Sequence, residues 1–118
     1  MTAMDVRTVT VGLPVSDLPR AVAWYRRVFG LPEPDLAPAA DVVEFELGPI
    51  WLQLGRAPTA RSGAEVVTRF GVADAAAERE RLIALGVDAG PLEHIPGAVD
   101  YFDFRDPDGN NLSLYSVL

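Results

Sequence analysis

Apolar residues recur along this chain with two periods. From about residue 6 to residue 15, Val6, Val9, Val11, Leu13 and Val15 are interspersed with smaller or polar residues, the pattern of a strand with one buried face. Leu18, Val22, Tyr25 and Phe29 then fall at helical spacing behind Asp17. Asp17 is placed to cap that helix, because its carboxylate can accept from the free N–H groups of the first turn. Gly30 is placed to end it in a left-handed cap. Leu31 to Asp35 carries two prolines and reads as a short edge piece, since proline cannot donate to a ladder. Val43, Phe45 and Leu47 alternate, and so do Ile50, Leu52 and Leu54, with Gly48-Pro49 between them. That predicts a hairpin. Residues Ala57 to Ala64 hold Pro, Gly and Ser and read as a linker.

The same order then returns. Val15 and Asp17 recur as Val72 and Asp74, 57 positions on, and Gly30 recurs as Gly86, 56 positions on. The second helix is therefore one residue shorter. A strand is expected over about 65–72, followed by a helix capped by Asp74. Its Ala75, Leu82 and Leu85 face inward, and Glu78, Arg79, Glu80 and Arg81 lie mostly outward. Val87 to His94 reads as a short strand. Val99 to Arg105 and Asn111 to Val117 form a hairpin around Asp106-Pro107-Asp108-Gly109-Asn110, a run of turn-forming residues. The order is β-α-β-β-β twice, in modules of about 1–57 and 64–118 within one domain spanning 1–118. Two copies are too few for a solenoid, so the chain reads as a duplicated supersecondary unit.

Alternation sorts the strands into two faces. One holds Val9, Val11, Leu13, Val15, Val43, Phe45, Leu47, Ile50, Leu52, Leu54, Phe70, Val72, Phe102, Phe104, Leu112 and Leu114. This set is apolar and is expected beneath the helices. The other holds Thr8, Thr10, Gly12, Glu44, Glu46, Trp51, Gln53, Val67, Arg69, Tyr101, Asp103, Arg105, Asn111, Ser113 and Tyr115. A solvated sheet face would be rich in long charged side chains. Small and aromatic residues mixed with a few charges suit a concave ligand pocket better.

Composition narrows the chemistry. The chain has 118 residues, and no cysteine excludes disulfides, thiolate metal sites and cysteine nucleophiles. With 49% hydrophobic and 23% charged residues, a soluble folded domain is expected and disorder is not. All ten basic residues are arginine, so lysine Schiff-base chemistry is excluded. The net charge of -7 and the lack of a basic stripe exclude a nucleic-acid partner, and that field favours a neutral or cationic ligand. Met1 to Arg7 is no basic region leading into an apolar run, and no apolar stretch approaches about 18 residues. A cytoplasmic protein without a membrane partner is expected.

Three runs together resemble a known family. They are Val15-Ser16-Asp17-Leu18 leading into Ala23-Trp24-Tyr25-Arg26-Arg27-Val28-Phe29-Gly30-Leu31, then Leu85-Gly86-Val87, and Phe104-Arg105-Asp106-Pro107-Asp108-Gly109-Asn110. They resemble the vicinal oxygen chelate superfamily of glyoxalase I, bleomycin-resistance proteins and extradiol dioxygenases, over nearly the whole chain. The resemblance implies an α+β fold of two βαβββ modules forming a curled mixed sheet around a cavity, and a homodimer. Uncovered sheet edges also call for a homodimer.

The resemblance further implies positions for a divalent metal, one near the start of each module and one on each module's last strand, usually His, Glu or Gln. Those positions hold Thr10, Val67, Gln53 and Ser113. Only Gln53 is an ordinary ligand, so neither metal nor cofactor is expected. That departure is similar to the bleomycin-resistance branch, whose members sequester a ligand in the cavity without metal.

The candidate ligand-binding residues are Thr10, Glu44, Trp51, Gln53, Arg69, Tyr101, Asp103, Ser113 and Tyr115. Trp51, Tyr101 and Tyr115 offer stacking, and Glu44, Glu46 and Asp103 offer charge for a cation. Arg69 and Arg105 either hold an anionic ligand group or pair internally, Glu44 with Arg69 and Asp103 with Arg105. Trp24 and Tyr25, on the first helix, read as packing or interface residues. His94, the only histidine, is either a loop residue or a base at the cavity rim. No catalytic residue is assigned. Three readings stay open: a metal-free binding protein, a lyase, isomerase or dioxygenase-type enzyme with a cofactor-free or displaced site, and an interaction module with a vestigial cavity.

Overall fold

The strands form two four-stranded mixed sheets, each carrying one helix. The computed structural model describes residue 3 and residues 5–57 and 66–118, and the chain divides into two units, Met1–Ala60 and Arg61–Leu118. Apart from Ala57, the expected linker lies outside the described residues.

The first unit runs β1 (Thr10–Val15), α1 (Leu18–Phe29), β2 (Leu36–Ala39), β3 (Val42–Leu47) and β4 (Ile50–Arg56). Its sheet order is β1-β4-β3-β2. β1 lies parallel to β4, and β3 antiparallel to it. Asp17 takes an extended conformation and its carboxylate accepts from the Arg20 N–H at 3.2 Å. Gly30 ends α1 at φ 65°, where a side chain would be strained. The helix turns Ala21, Tyr25 and Val28 inward, and they are buried with Leu13, Val15, Phe45, Leu52 and Leu54. Burying each large apolar side chain contributes about 1.5–3 kcal/mol.

The second unit repeats the order: β5 (Val67–Gly71), α2 (Ala75–Ala84), β6 (Glu93–Ile95), β7 (Val99–Arg105) and β8 (Asn111–Val117), with sheet order β5-β8-β7-β6. Asp74 caps α2 through the Ala77 N–H at 3.0 Å. Ala75 and Leu82 are buried with Phe102, Phe104, Leu112 and Leu114, and the Phe102 and Phe104 rings stack 5.7 Å apart. Ser116, buried on the helix side, accepts from the Ala75 N–H at 3.0 Å. The β7–β8 turn is built on buried Asp106. Its carboxylate accepts from the backbone N–H groups of Asp108 and Asn110 and from the Asn110 side-chain amide.

Three expected elements moved. β1 begins at Thr10, not near residue 6, because its only neighbour, β4, begins at Ile50 and pairs Thr10 with Trp51. Val9 gives one carbonyl to the Trp51 N–H and is 50% exposed, against its expected burial. The edge strand of the first unit is Leu36–Ala39, not Leu31–Asp35. Pro32 and Pro34 have no N–H to give, and pairing with β3 starts at the Asp35 N–H on Glu44 O. The short strand of the second unit is only Glu93–Ile95. Upstream of it, Gly90 N–H meets Asp103 O at 2.8 Å, and a Cβ on Gly90 would come within 3.0 Å of that oxygen.

Candidate functional site

Register places the candidate residues in cross-strand rows on the sheet face opposite each helix. In the first unit, Thr10, Trp51 and Glu46 form one row, and Gly12, Gln53 and Glu44 the next. Gln53 Nε2 donates to Glu44 Oε2 at 2.8 Å, and both residues are half-buried. Gly12 makes room for this pair, since a Cβ there would lie 3.2 Å from Gln53 Oε1. Glu46 and Thr10 are exposed and Trp51 is half-buried. Together the two rows are acidic and aromatic, with no basic residue in them.

In the second unit, Arg69, Ser113 and Asp103 form the row that matches Gly12, Gln53 and Glu44. Arg69 Nη1 donates to Ser113 Oγ at 2.9 Å and to Asp103 Oδ1 at 3.4 Å. Ser113 is fully buried and donates in turn to Phe102 O at 3.1 Å. The Arg69 guanidinium sits 5.5 Å from the centre of the Tyr101 ring. Tyr101 and Tyr115 are direct cross-strand partners, and Gly71 continues their row. A Cβ on Gly71 would come within 3.1 Å of the Tyr115 phenol, so the glycine leaves that ring its place over β5. Beside them is an open cleft of about 350 Å³ lined by Arg69, Ile95, Val99, Tyr101 and Tyr115. This lies within the size range of small-molecule sites.

Several expectations are corrected by this geometry. Asp103 pairs with Arg69, not with Arg105, because those two are neighbours across β8 while Asp103 and Arg105 follow one another along β7. The carboxylate of Glu44 is taken by Gln53. His94 lies on β6, at the end of the short strand expected there, and its Nδ1 meets Asp100 Oδ1 at 2.5 Å. Register pairs His94 with Asp100, on the face opposite Tyr101, so His94 does not face the cleft. Tyr25 is fully buried and edge-on to Trp24, as packing residues. Ile95 and Val99 were missed as lining residues. The two-residue period carried back from Tyr101 reaches Val99, and pairing then brings in Ile95.

The four positions of the implied metal site do not fit a divalent cation. Val67 brings no donor atom. Ser113 Oγ holds a guanidinium, so a cation there would meet another positive charge, and of the four positions only Gln53, through its Oε1, offers an ordinary ligand atom. Among the described residues no group of three or more His, Asp or Glu side chains is placed to hold an ion.

Two mixed sheets, each with one helix on one face and a polar, aromatic opposite face, define a glyoxalase-like α+β protein. The sequence profile of the Glyoxalase/Bleomycin resistance protein/Dioxygenase superfamily matches residues 7–114, and the chain belongs to that superfamily. Among solved structures it is similar to TnmS3, an antibiotic binding protein from Streptomyces sp. CB03234, at 24% identity and TM-score 0.81, covering 98% of this chain and 100% of that one. It is similar to lactoylglutathione lyase from Agrobacterium tumefaciens, at 25% identity and TM-score 0.75, covering 92% and 91%. It is also similar to the fosfomycin resistance protein FosX from Listeria monocytogenes, at 18% identity and TM-score 0.79, covering 99% and 96%. No curated protein matches it in sequence. No helix among the described residues is long and apolar enough to cross a membrane.

Proposed function

We propose that this chain is a metal-free small-molecule-binding protein that sequesters a neutral or cationic organic ligand, acting as a cytoplasmic homodimer whose two modules work as one domain. The observation that carries the reading is the cleft beside Tyr101 and Tyr115, where two aromatic and two aliphatic side chains converge on one arginine. Aromatic faces supply contact area at little entropy cost, and one polar group supplies orientation. The net charge of -7 and the carboxylates of Glu44 and Glu46 in adjacent rows favour ligands without negative charge. Family membership and the antibiotic-binding and fosfomycin-resistance relatives support small-molecule binding. The misfit of Thr10, Gln53, Val67 and Ser113 to a cation supports binding without metal. Four sheet edges, β1, β2, β5 and β6, support a dimer that covers some of them.

A lyase, isomerase or dioxygenase-type activity is the second reading, favoured by the 25% identity to a lactoylglutathione lyase. It would use Glu44 as a base, oriented by Gln53. Native mass spectrometry of the untagged protein separates the two. The expected spectrum is a dimer without metal, alone or with a small organic adduct. A stoichiometric divalent metal would overturn the binding reading.

A further inference from the structure

Arg69 is anchored through one of its three guanidinium nitrogens. Nη1 donates to buried Ser113 and to Asp103. The Nε proton and both Nη2 protons have no acceptor among the described residues, and the side chain is 49% exposed. Ser113, at the last-strand position where the resemblance puts a metal ligand, is itself fixed by its bond to Phe102 O. The second unit thus holds an organic cation where the metal would need a donor, at the edge of an aromatic cleft.

We propose that the Arg69 guanidinium, positioned by Ser113, recognises the acceptor oxygen of a flat, neutral aromatic ligand seated between Tyr101, Tyr115, Ile95 and Val99. This rests on the small-molecule reading above and names the ligand class. A guanidinium can only donate. A purely hydrocarbon ring in the cleft would cover its N–H groups and leave them without water or partner. A ring bearing a carbonyl satisfies them, and a site built to hydrogen-bond one group rejects the analogue that lacks it. The planar guanidinium, already 5.5 Å from the Tyr101 ring centre, also continues the stacking surface. No charge on the ligand is needed, which agrees with the field of the whole chain.

The test uses two probes, 2-acetylnaphthalene and 2-ethylnaphthalene, which share a ring system and a two-carbon arm and differ by one carbonyl. Both are titrated into the full chain while the Tyr101 and Tyr115 ring signals are followed by NMR. The ketone is expected to bind about tenfold more tightly. Arg69→Leu is expected to remove that preference, so that the two probes bind alike. Ser113→Ala is expected to reduce the ratio of ketone to hydrocarbon affinity several-fold; a merely structural serine would weaken both probes alike and leave that ratio unchanged. Equal binding of the two probes to the unaltered protein overturns the role of Arg69 and leaves small-molecule binding standing. If neither probe moves either tyrosine, both the inference and the reading beneath it are overturned.

Discussion

The two units share their helix side and differ on their open side. Phe45, Leu52 and Leu54 in the first and Phe104, Leu112 and Leu114 in the second occupy matching register positions, and all six are buried. On the other face the central row is Gly12, Gln53 and Glu44 in one unit and Arg69, Ser113 and Asp103 in the other. The next row is Pro14, Gly55 and Val42 in one and Gly71, Tyr115 and Tyr101 in the other. Packing under the helix restricts volume and polarity, so the repeat persists there. The open face carries no such demand, and the duplicated scaffold presents an acidic amide-bearing row in one place and an arginine with two tyrosines in the other. The turns differ as well: each holds a glycine at positive φ, Gly48 at 59° and Gly109 at 85°, and β7–β8 adds a hydrogen-bonded aspartate.

The largest expected effect tests the shared side. Phe45→Ala and Phe104→Ala should each lower stability by about 3–5 kcal/mol, read by urea denaturation. A loss below about 1 kcal/mol in either would mean that the two cores are not equivalent. Next comes the turn that only the second unit has. Asp106→Ala removes three hydrogen bonds from a buried carboxylate site and should cost about 2–3 kcal/mol in the same assay. An unchanged midpoint would show that the turn stands without it. The caps return to likeness: Asp17→Ala and Asp74→Ala should each cost about 1 kcal/mol, seen as a lower melting temperature. Unequal losses would separate the two helices. Smallest is Asp103→Asn, which weakens a 3.4 Å ion pair about half exposed on each side. It should change stability by less than about 1 kcal/mol. A larger loss would mean that the Arg69 row is part of the fold's support and not only of its open face.

How far the chain could be read before folding depended on where neighbours enter. β7 and β8 were readable to the residue, because Phe102 and Phe104, and Leu112 and Leu114, recur at period two and a run of turn residues separates the strands. Asp17 and Asp74 were readable as caps because capping is a local contact three residues long. The edge strands were not. Leu36–Ala39 carries Pro38 and is exposed throughout, so it has no periodic signal, and only the carbonyls of β3 decide where it pairs. At the site, period two alone put Arg69, Ser113, Asp103, Tyr101 and Tyr115 on one face. It left open which charge meets which.

Local periodicity therefore determined the two-module α+β order, the helix caps, the buried face and the identity of the open one, since each depends on residues a few positions apart. The tertiary structure alone decided that Arg69 pairs with Asp103 and Ser113, that Gln53 takes Glu44, that His94 faces away from the tyrosines, and that Ile95 joins the cleft. Those outcomes turn on strand register between segments up to 44 residues apart, and hydrogen bonds of about 3 Å go to whichever side chain that register brings opposite.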